Sequence, residues 1–170
     1  MWYVIQVRTG SEERVTLSCR RLIVSKEEDV FYPTRELIKR IHGENVLTKR
    51  ALFPGYVFFE TENPEGLFHR LKRVQLLTKL LRVDGEFVPI YPEEEALLRK
   101  LCGKDHSVGV SEGFTDGKKV HIVSGPLTGM EGKVKKINKH KKIAVLEVFL
   151  LGEMRELVLG YEDIGLADVK

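Results

Sequence analysis

From Trp2 to Arg8, β-branched and aromatic residues dominate and the run stops at Thr9-Gly10, a pattern that predicts a strand. A helical spacing follows. Val15, Cys19, Leu22 and Ile23 share one face, Arg14, Arg20 and Arg21 point mostly to solvent, and Thr9 with Glu12 fits a capping box. Residues 29 to 33 predict a short strand ending at Pro33. Arg35 to Arg50 reads as an extended hairpin around His42-Gly43-Glu44-Asn45, although Arg35 to Ile41 also fits a helix. Ala51 to Glu60 is almost wholly apolar and predicts a buried strand, bent or bulged at Pro54-Gly55.

A second helix is expected from Pro64 to Arg73, with Leu67, Phe68, Leu71 and Val74 on one side. Lys79 to Val83, then Asp84-Gly85, then Glu86 to Ile90 is a two-residue hairpin signal. Pro92 opens a last helix, where Glu93, Glu94 and Glu95 suit the positive end of the dipole and Leu97, Leu98 and Leu101 form the buried face. Strands interspersed with helices predict an α+β domain over residues 1–102. Residues 103–115, with Gly103, Gly109 and Gly113, read as a flexible linker. Beyond it the pattern is all-β. Val120–Val123, Lys133–Ile137, Ile143–Phe149 and Met154–Leu159 are short strands at close spacing, which predicts a small barrel over 116–170.

Composition narrows the function classes. With 42% apolar residues in a chain of 170, a folded core is expected rather than disorder. No apolar stretch is long enough for a membrane span, and Met1 to Gly10 lacks a secretory pattern, so a soluble cytoplasmic protein with no membrane partner is expected. Cys19 and Cys102 form no CxxC, and His42, His69, His106, His121 and His140 have no zinc-ligand spacing, so no metal is expected. There is no GxSxG elbow, and Gly125 to Lys133 fails the phosphate-loop pattern because Leu127 and Val134 stand where Gly and Ser or Thr are required. Neither an enzyme nor a cofactor is indicated.

Two features remain. Lys133, Lys135, Lys136, Lys139, Lys141 and Lys142, with His140, fall within ten residues that contain no acid. If the flanking strands are neighbours, their connecting loop gathers these cations at one end of the barrel. The cluster is then either a polyanion site with steep salt dependence or a solvated, edge-protecting loop. Phe149 is the one aromatic near it, so no base-stacking platform is expected. In the first domain, Trp2, Tyr3, Phe53, Tyr56, Phe58 and Phe59 crowd two strands expected to pair. Most must be core, yet Phe53 and Tyr56 flank the Pro-Gly bend, and a ring left outside makes an apolar patch for a protein partner.

The order of features is similar to the NusG family of transcription elongation factors over nearly the whole chain. Trp2-Tyr3-Val4-Ile5-Gln6-Val7 resembles its opening strand, Leu52-Phe53-Pro54-Gly55-Tyr56-Val57 its most characteristic segment, and Gly125-Pro126 through Gly132-Lys133-Val134 its KOW motif. The resemblance implies an NGN domain with an antiparallel-rich sheet flanked by helices, at 1–102, and a small five-stranded SH3-like KOW β-barrel at 116–170. It further implies that the NGN domain docks on the clamp helices of RNA polymerase through Trp2, Tyr3, Phe53 and Tyr56. His69 and Arg70, beside Phe68, resemble the region facing the polymerase gate loop.

Two departures bear on subtype. Where the family carries an Ile-Phe-Gly-Arg type loop for the termination factor Rho or a small-subunit ribosomal protein, this chain reads Leu150-Leu151-Gly152-Glu153. The preceding turn, usually acidic or mixed, is here the lysine cluster. Together they suggest an operon-restricted antitermination paralogue whose barrel binds a structured nascent RNA hairpin. The competing readings are a general elongation factor whose barrel docks Rho or the ribosomal protein, and an RNA-binding protein of the translation machinery. The leading reading requires rings that a partner can reach and lysines that carboxylates do not neutralise.

Overall fold

Strand β1 (Trp2–Val7) is an inner strand of a sheet in the order β2-β5-β1-β6, where β2 is Asp29–Phe31, β5 is Tyr56–Glu60 and β6 is Thr78–Leu80. In this computed structural model the described residues are 1–22, 25–73, 78–80, 82–83, 86–87 and 89–165. The sheet is antiparallel, with Tyr3 opposite Phe59, Val4 opposite Phe58 and Phe31 also opposite Phe58. Alternation along the strands divides the apolar residues between two faces. Tyr3, Ile5, Val30, Val57 and Phe59 pack with Val15 and Cys19 of helix α1 (Glu12–Leu22) and with Leu67 and Leu71 of helix α2 (Pro64–Leu71). Trp2, Val4, Phe31 and Phe58 line the opposite face.

Several predicted elements change in detail. Helix α1 starts at Glu12, and Val15 N donates to Ser11 O, so Thr9 is not its cap. Residues 52–55 leave the strand to make a turn, and only Tyr56–Glu60 pairs. Arg35 to Ile41 is strand: β3 (Thr34–Ile41) and β4 (Glu44–Ala51) are joined by His42 and Gly43, both with positive φ (51° and 80°), as a two-residue hairpin turn needs. Short strands β7 (Arg82–Val83) and β8 (Glu86–Phe87) pair antiparallel, with Asp84 and Gly85 between them outside the described residues. Ile23 and Val74, expected on helix faces, also lie outside them. Helix α3 (Pro92–Cys102) follows, with Leu98 and Leu101 buried.

The segment expected as a linker instead carries β9 (Ser107–Val108) and most of β10 (Ser111–Asp116). With β11 (Lys119–Ser124), β12 (Val134–Asn138), β13 (Ile143–Leu150) and β14 (Glu153–Asp163), strand β10 completes a five-stranded curled sheet in the order β11-β10-β14-β13-β12. Strict alternation on β13 buries Ala144, Leu146, Val148 and Leu150, which face a core including Leu127, Leu157, Leu159 and Tyr161. The fold is α+β, with a helix-flanked, antiparallel sheet and a small SH3-like β-barrel.

Contacts divide the chain into Met1–Pro33 with Ala51–Glu95, and Thr34–Arg50 with Ala96–Lys170. The β3–β4 hairpin, expected within the first domain, therefore groups with the barrel. Thr34 N donates to His106 O, β3 pairs in parallel with β9, and Arg35 Nη1 donates to Val158 O on β14. No helix among the described residues is long and apolar enough to cross a membrane.

Candidate functional site

The second face of the first sheet is an aromatic cluster. The Trp2 ring meets Phe31 edge-on at 4.9 Å between centroids, Phe31 stacks on Phe58 at 5.7 Å, and Phe53 lies 5.9 Å from Phe58. Each such pair adds about 0.5–1.5 kcal/mol beyond its buried area. Trp2, Tyr3 and Phe53 are all buried, Tyr3 on the helix-covered face, so these three of the four rings expected at a partner surface are core. They are core for different reasons: Trp2 packs edge-on against Phe31 and Phe58, Tyr3 faces the helices opposite Phe59, and the turn folds Phe53 onto Phe58. Tyr56 is the exception. It sits opposite Gln6, two residues before Phe58 on the same face, and is half-buried at the end of the cluster.

The turn that holds Phe53 and Tyr56 is fixed by Glu12, a side chain whose sequence context suggests helix capping. The buried Glu12 carboxylate accepts from Gly55 N at 2.6 Å and from Gly10 N at 3.0 Å, while Val7 N donates to Gly55 O at 2.8 Å. Gly55 has φ +87°, and a Cβ there would lie 3.3 Å from both Val7 O and Thr9 Oγ1, so both conformation and space call for glycine. Glu12→Ala leaves the Gly55 N–H without its acceptor and is expected to cost about 1–3 kcal/mol, read as a lower urea midpoint. Glu12→Gln keeps an acceptor oxygen and should recover part of the loss; equal midpoints for the wild type and the Ala variant would refute this role.

His69 and Arg70 on α2 separate in role. His69 is exposed beside Phe68. Arg70 is not a free surface cation: Nη1 and Nη2 donate to the two oxygens of Glu28 at 2.5 and 2.9 Å, and Nε donates to Gly66 O. Burial pushes the Glu28 carboxyl up, but hydrogen bonds from Arg70, Ser25 and Thr61, with the guanidinium charge, outweigh it and hold the group at about 2. This pair ties α2 to the segment before β2, so the structure places Arg70 as a brace.

On the barrel, the lysine cluster splits in the same way. Lys135 lies between Glu156 at 2.7 Å and Glu147 at 3.3 Å, whose hydrogen bonds raise its affinity for its proton. Lys139 approaches Asp163, and Lys142 approaches Glu162, both at 3.7 Å. Lys133, Lys136 and Lys141 are exposed and make no ion pair among the described residues, and His140 is exposed beside them. At the opposite end, Leu151 and Gly152, at φ 55° and 82°, form the β13–β14 turn and leave Phe149 and its register partner Met154 half-exposed.

An antiparallel sheet braced by α1 and α2, its Phe53-Pro54-Gly55-Tyr56 turn pinned by Glu12, followed by a five-stranded barrel, is the order found in a known family. The family model described as transcription termination factor nusG matches residues 1–99. The chain belongs to the NusG family. The transcription termination/antitermination protein NusG of Pseudomonas aeruginosa is 25% identical over 170 residues, covering 96% of each chain. The protein of that name from Thermus thermophilus is 24% identical over 177 residues, again covering 96% of each. The Escherichia coli one is 25% identical, covering 96% of this chain and 94% of its own. A solved Thermotoga maritima NusG shares the fold, with a TM-score of 0.53 and 22% identity over 94% of this chain and 92% of that one.

In this NusG-family transcription factor, sequence reasoning missed the structural parts of Glu12 and Glu28 and a ring pair on the barrel. Glu12 is visible in sequence only as a capping candidate, because Gly55 lies 43 residues away. The pairing of Glu28 with Arg70 spans 42 residues and has no local signal. Phe114 and His121 stack at 4.7 Å across β10 and β11, a pairing that a segment of linker-like composition does not announce.

Proposed function

We propose that the protein is a transcription antitermination factor that binds RNA polymerase through its NGN part, within residues 1–102, and a structured nascent RNA through its KOW barrel, whose strands begin with β10 at Ser111. The polymerase surface centres on the half-buried Tyr56, with the exposed His69 as a second contact; Trp2, Tyr3 and Phe53 act beneath it by holding the sheet and turn in shape. Binding the closed clamp better than the open one shifts the paused enzyme toward elongation, about 1.4 kcal/mol of preference for each tenfold change in population. No covalent step is involved.

The observation that carries the RNA half is the set Lys133, Lys136 and Lys141, exposed and in no ion pair among the described residues, although Glu156 feels the charge of Lys136, in a barrel whose tip carries Glu153. A-form helices present backbone and 2′-hydroxyls more readily than base edges, so an RNA hairpin is the natural target of such a surface. Full-length protein titrated with a leader hairpin and with scrambled RNA at several salt concentrations tests this. Changing Lys133, Lys136 and Lys141 to Glu should lower the slope of log affinity against log salt by about 2 to 3, at 0.7–0.9 per lost phosphate contact. An unchanged slope refutes the site.

A second reading has one observation in its favour. Phe149 and Met154, 50% and 59% exposed, form an apolar pair at the barrel tip. Such a pair suits a protein partner, as in a general elongation factor whose barrel docks Rho or a small-subunit ribosomal protein. Unselective, charge-driven RNA binding that persists in the three-lysine variant would favour that reading.

A further inference from the structure

The barrel contains one built feature that the cationic turn does not explain. Phe114 on β10 and His121 on β11 are register partners whose rings lie nearly parallel, 4.7 Å between centroids and 15° between planes, and both are partly exposed. Their placement is set by the backbone. Gly113, just before Phe114, has no room for a side chain, because a Cβ there would press into the His121 carbonyl, so the two strands approach unusually closely at the pair.

The ladder relates this pair to the lysine turn. Along β10, Ser111 and Gly113 are buried while Glu112 is exposed, so alternation puts Phe114 on the outer face with Glu112. Glu112 is the register partner of Glu162, and Glu162 holds Lys142, the last residue of the turn between β12 and β13. Phe114 is therefore one strand across and two residues along from the residue that anchors Lys142. By strand spacing and rise this is about 8 Å between backbones. The chemistry changes over that distance. Around Phe114 the flanking carboxylates Glu112 and Asp116 disfavour a phosphate, whereas an uncharged π-face accepts a nucleobase. Lys118, exposed in the adjoining β10–β11 turn, and Lys119, exposed at the start of β11, supply cations on the other side.

Building on the RNA reading above, we infer that the Phe114–His121 pair is a stacking platform for an unpaired RNA base adjoining the duplex whose phosphates meet the lysine turn. The ligand class is thus a hairpin with a single-stranded flank or loop, not a continuous duplex. The lysines supply salt-dependent affinity and the rings a salt-independent increment, so the two contributions separate experimentally.

The test uses the full-length protein at low salt with two synthetic probes: a blunt G–C-rich RNA hairpin whose strands are joined by a non-nucleotide polyether linker in place of a loop, and the same hairpin with a four-nucleotide 3′ extension containing 2-aminopurine. The extension should tighten wild-type binding by about 5-fold to 100-fold, the range of one stacked base, and change the 2-aminopurine fluorescence. Phe114→Leu and His121→Ala should abolish that gain and the fluorescence change while keeping the blunt-hairpin affinity and the salt slope, with a fall in melting temperature of only a few degrees from the lost ring pair. Phe114→Tyr should restore both. Equal wild-type affinity for the two probes, or a gain that survives in both variants, overturns the platform and leaves RNA binding standing. Failure of the wild type to bind either probe overturns the RNA reading and the platform together.

Discussion

Phe53→Ala should unfold the first sheet at markedly lower denaturant, whereas Tyr56→Asp should cost clearly less stability and abolish polymerase binding. The contrast follows from burial. Phe53 is 4% exposed and packs on Phe58, so truncation leaves a cavity beside Phe58. The expected cost is about 3–5 kcal/mol, a large part of the 5–15 kcal/mol typical of a folded domain. Tyr56 is half-buried at the end of the same face, so less packing is lost there than at Phe53, while a carboxylate in its place repels an apolar partner. Urea unfolding gives the first quantity, and a pull-down with purified RNA polymerase gives the second. Binding lost in proportion to stability in both variants would mean that Tyr56 is not a contact. Normal binding by a folded Tyr56→Asp protein would place the docking surface elsewhere.

Arg70→Ala should lower stability by about 3 kcal/mol at neutral pH, and the loss should shrink as the solution is acidified. Glu28 is only 8% exposed at its side chain, so removing the guanidinium strands a carboxylate that is costly to leave unpaired. The pH window follows from the depressed titration of Glu28, at about 2 against an ordinary 4.5. A group depressed on folding contributes its stabilisation fully above the unfolded value and loses it as pH falls through the folded one. Wild-type stability should therefore decline between pH 4.5 and 2 by about 3 kcal/mol, since each tenfold difference in proton affinity between the folded and unfolded chains is worth about 1.4 kcal/mol. The variant should be flatter over the same window. Arg70→Lys should recover only part of the stability, because an ammonium cannot reproduce the two-pronged bond. Parallel pH profiles for the wild type and Arg70→Ala would show that the pair is not the brace described. An unchanged profile with weakened polymerase binding would return Arg70 to the surface role its sequence position suggests.

Local pattern made a good part of this protein legible. The β-branched run at Trp2–Val7, the helix starts at Pro64 and Pro92 and the alternation along Ile143–Leu150 each carry their own signal, because a strand or helix is defined within a few residues. The three motifs in their order pointed to the NusG family, which the match over residues 1–99 then showed. Strand β10 escaped because Ser111-Glu112-Gly113-Phe114-Thr115-Asp116 holds just one large apolar residue; its pairing with β11 and β14 makes it a strand, and no propensity announces it.

The order of residues along the chain set which side chains are available: aromatic groups on two strands that pair, and six lysines within ten residues. Which of them face outward was settled by packing in three dimensions. It enclosed Trp2, Tyr3 and Phe53 while leaving Tyr56 at an edge, committed Arg70 to Glu28 and Lys135 to two glutamates, and left Lys133, Lys136 and Lys141 without ion pairs among the described residues. It also attached the β3–β4 hairpin to the barrel through Arg35 and β9. The difference is one of range. Periodicity reports a residue's relation to its near neighbours, whereas exposure and charge pairing depend on groups brought together from far along the chain, as Gly55 is to Glu12 across 43 residues and Glu28 to Arg70 across 42.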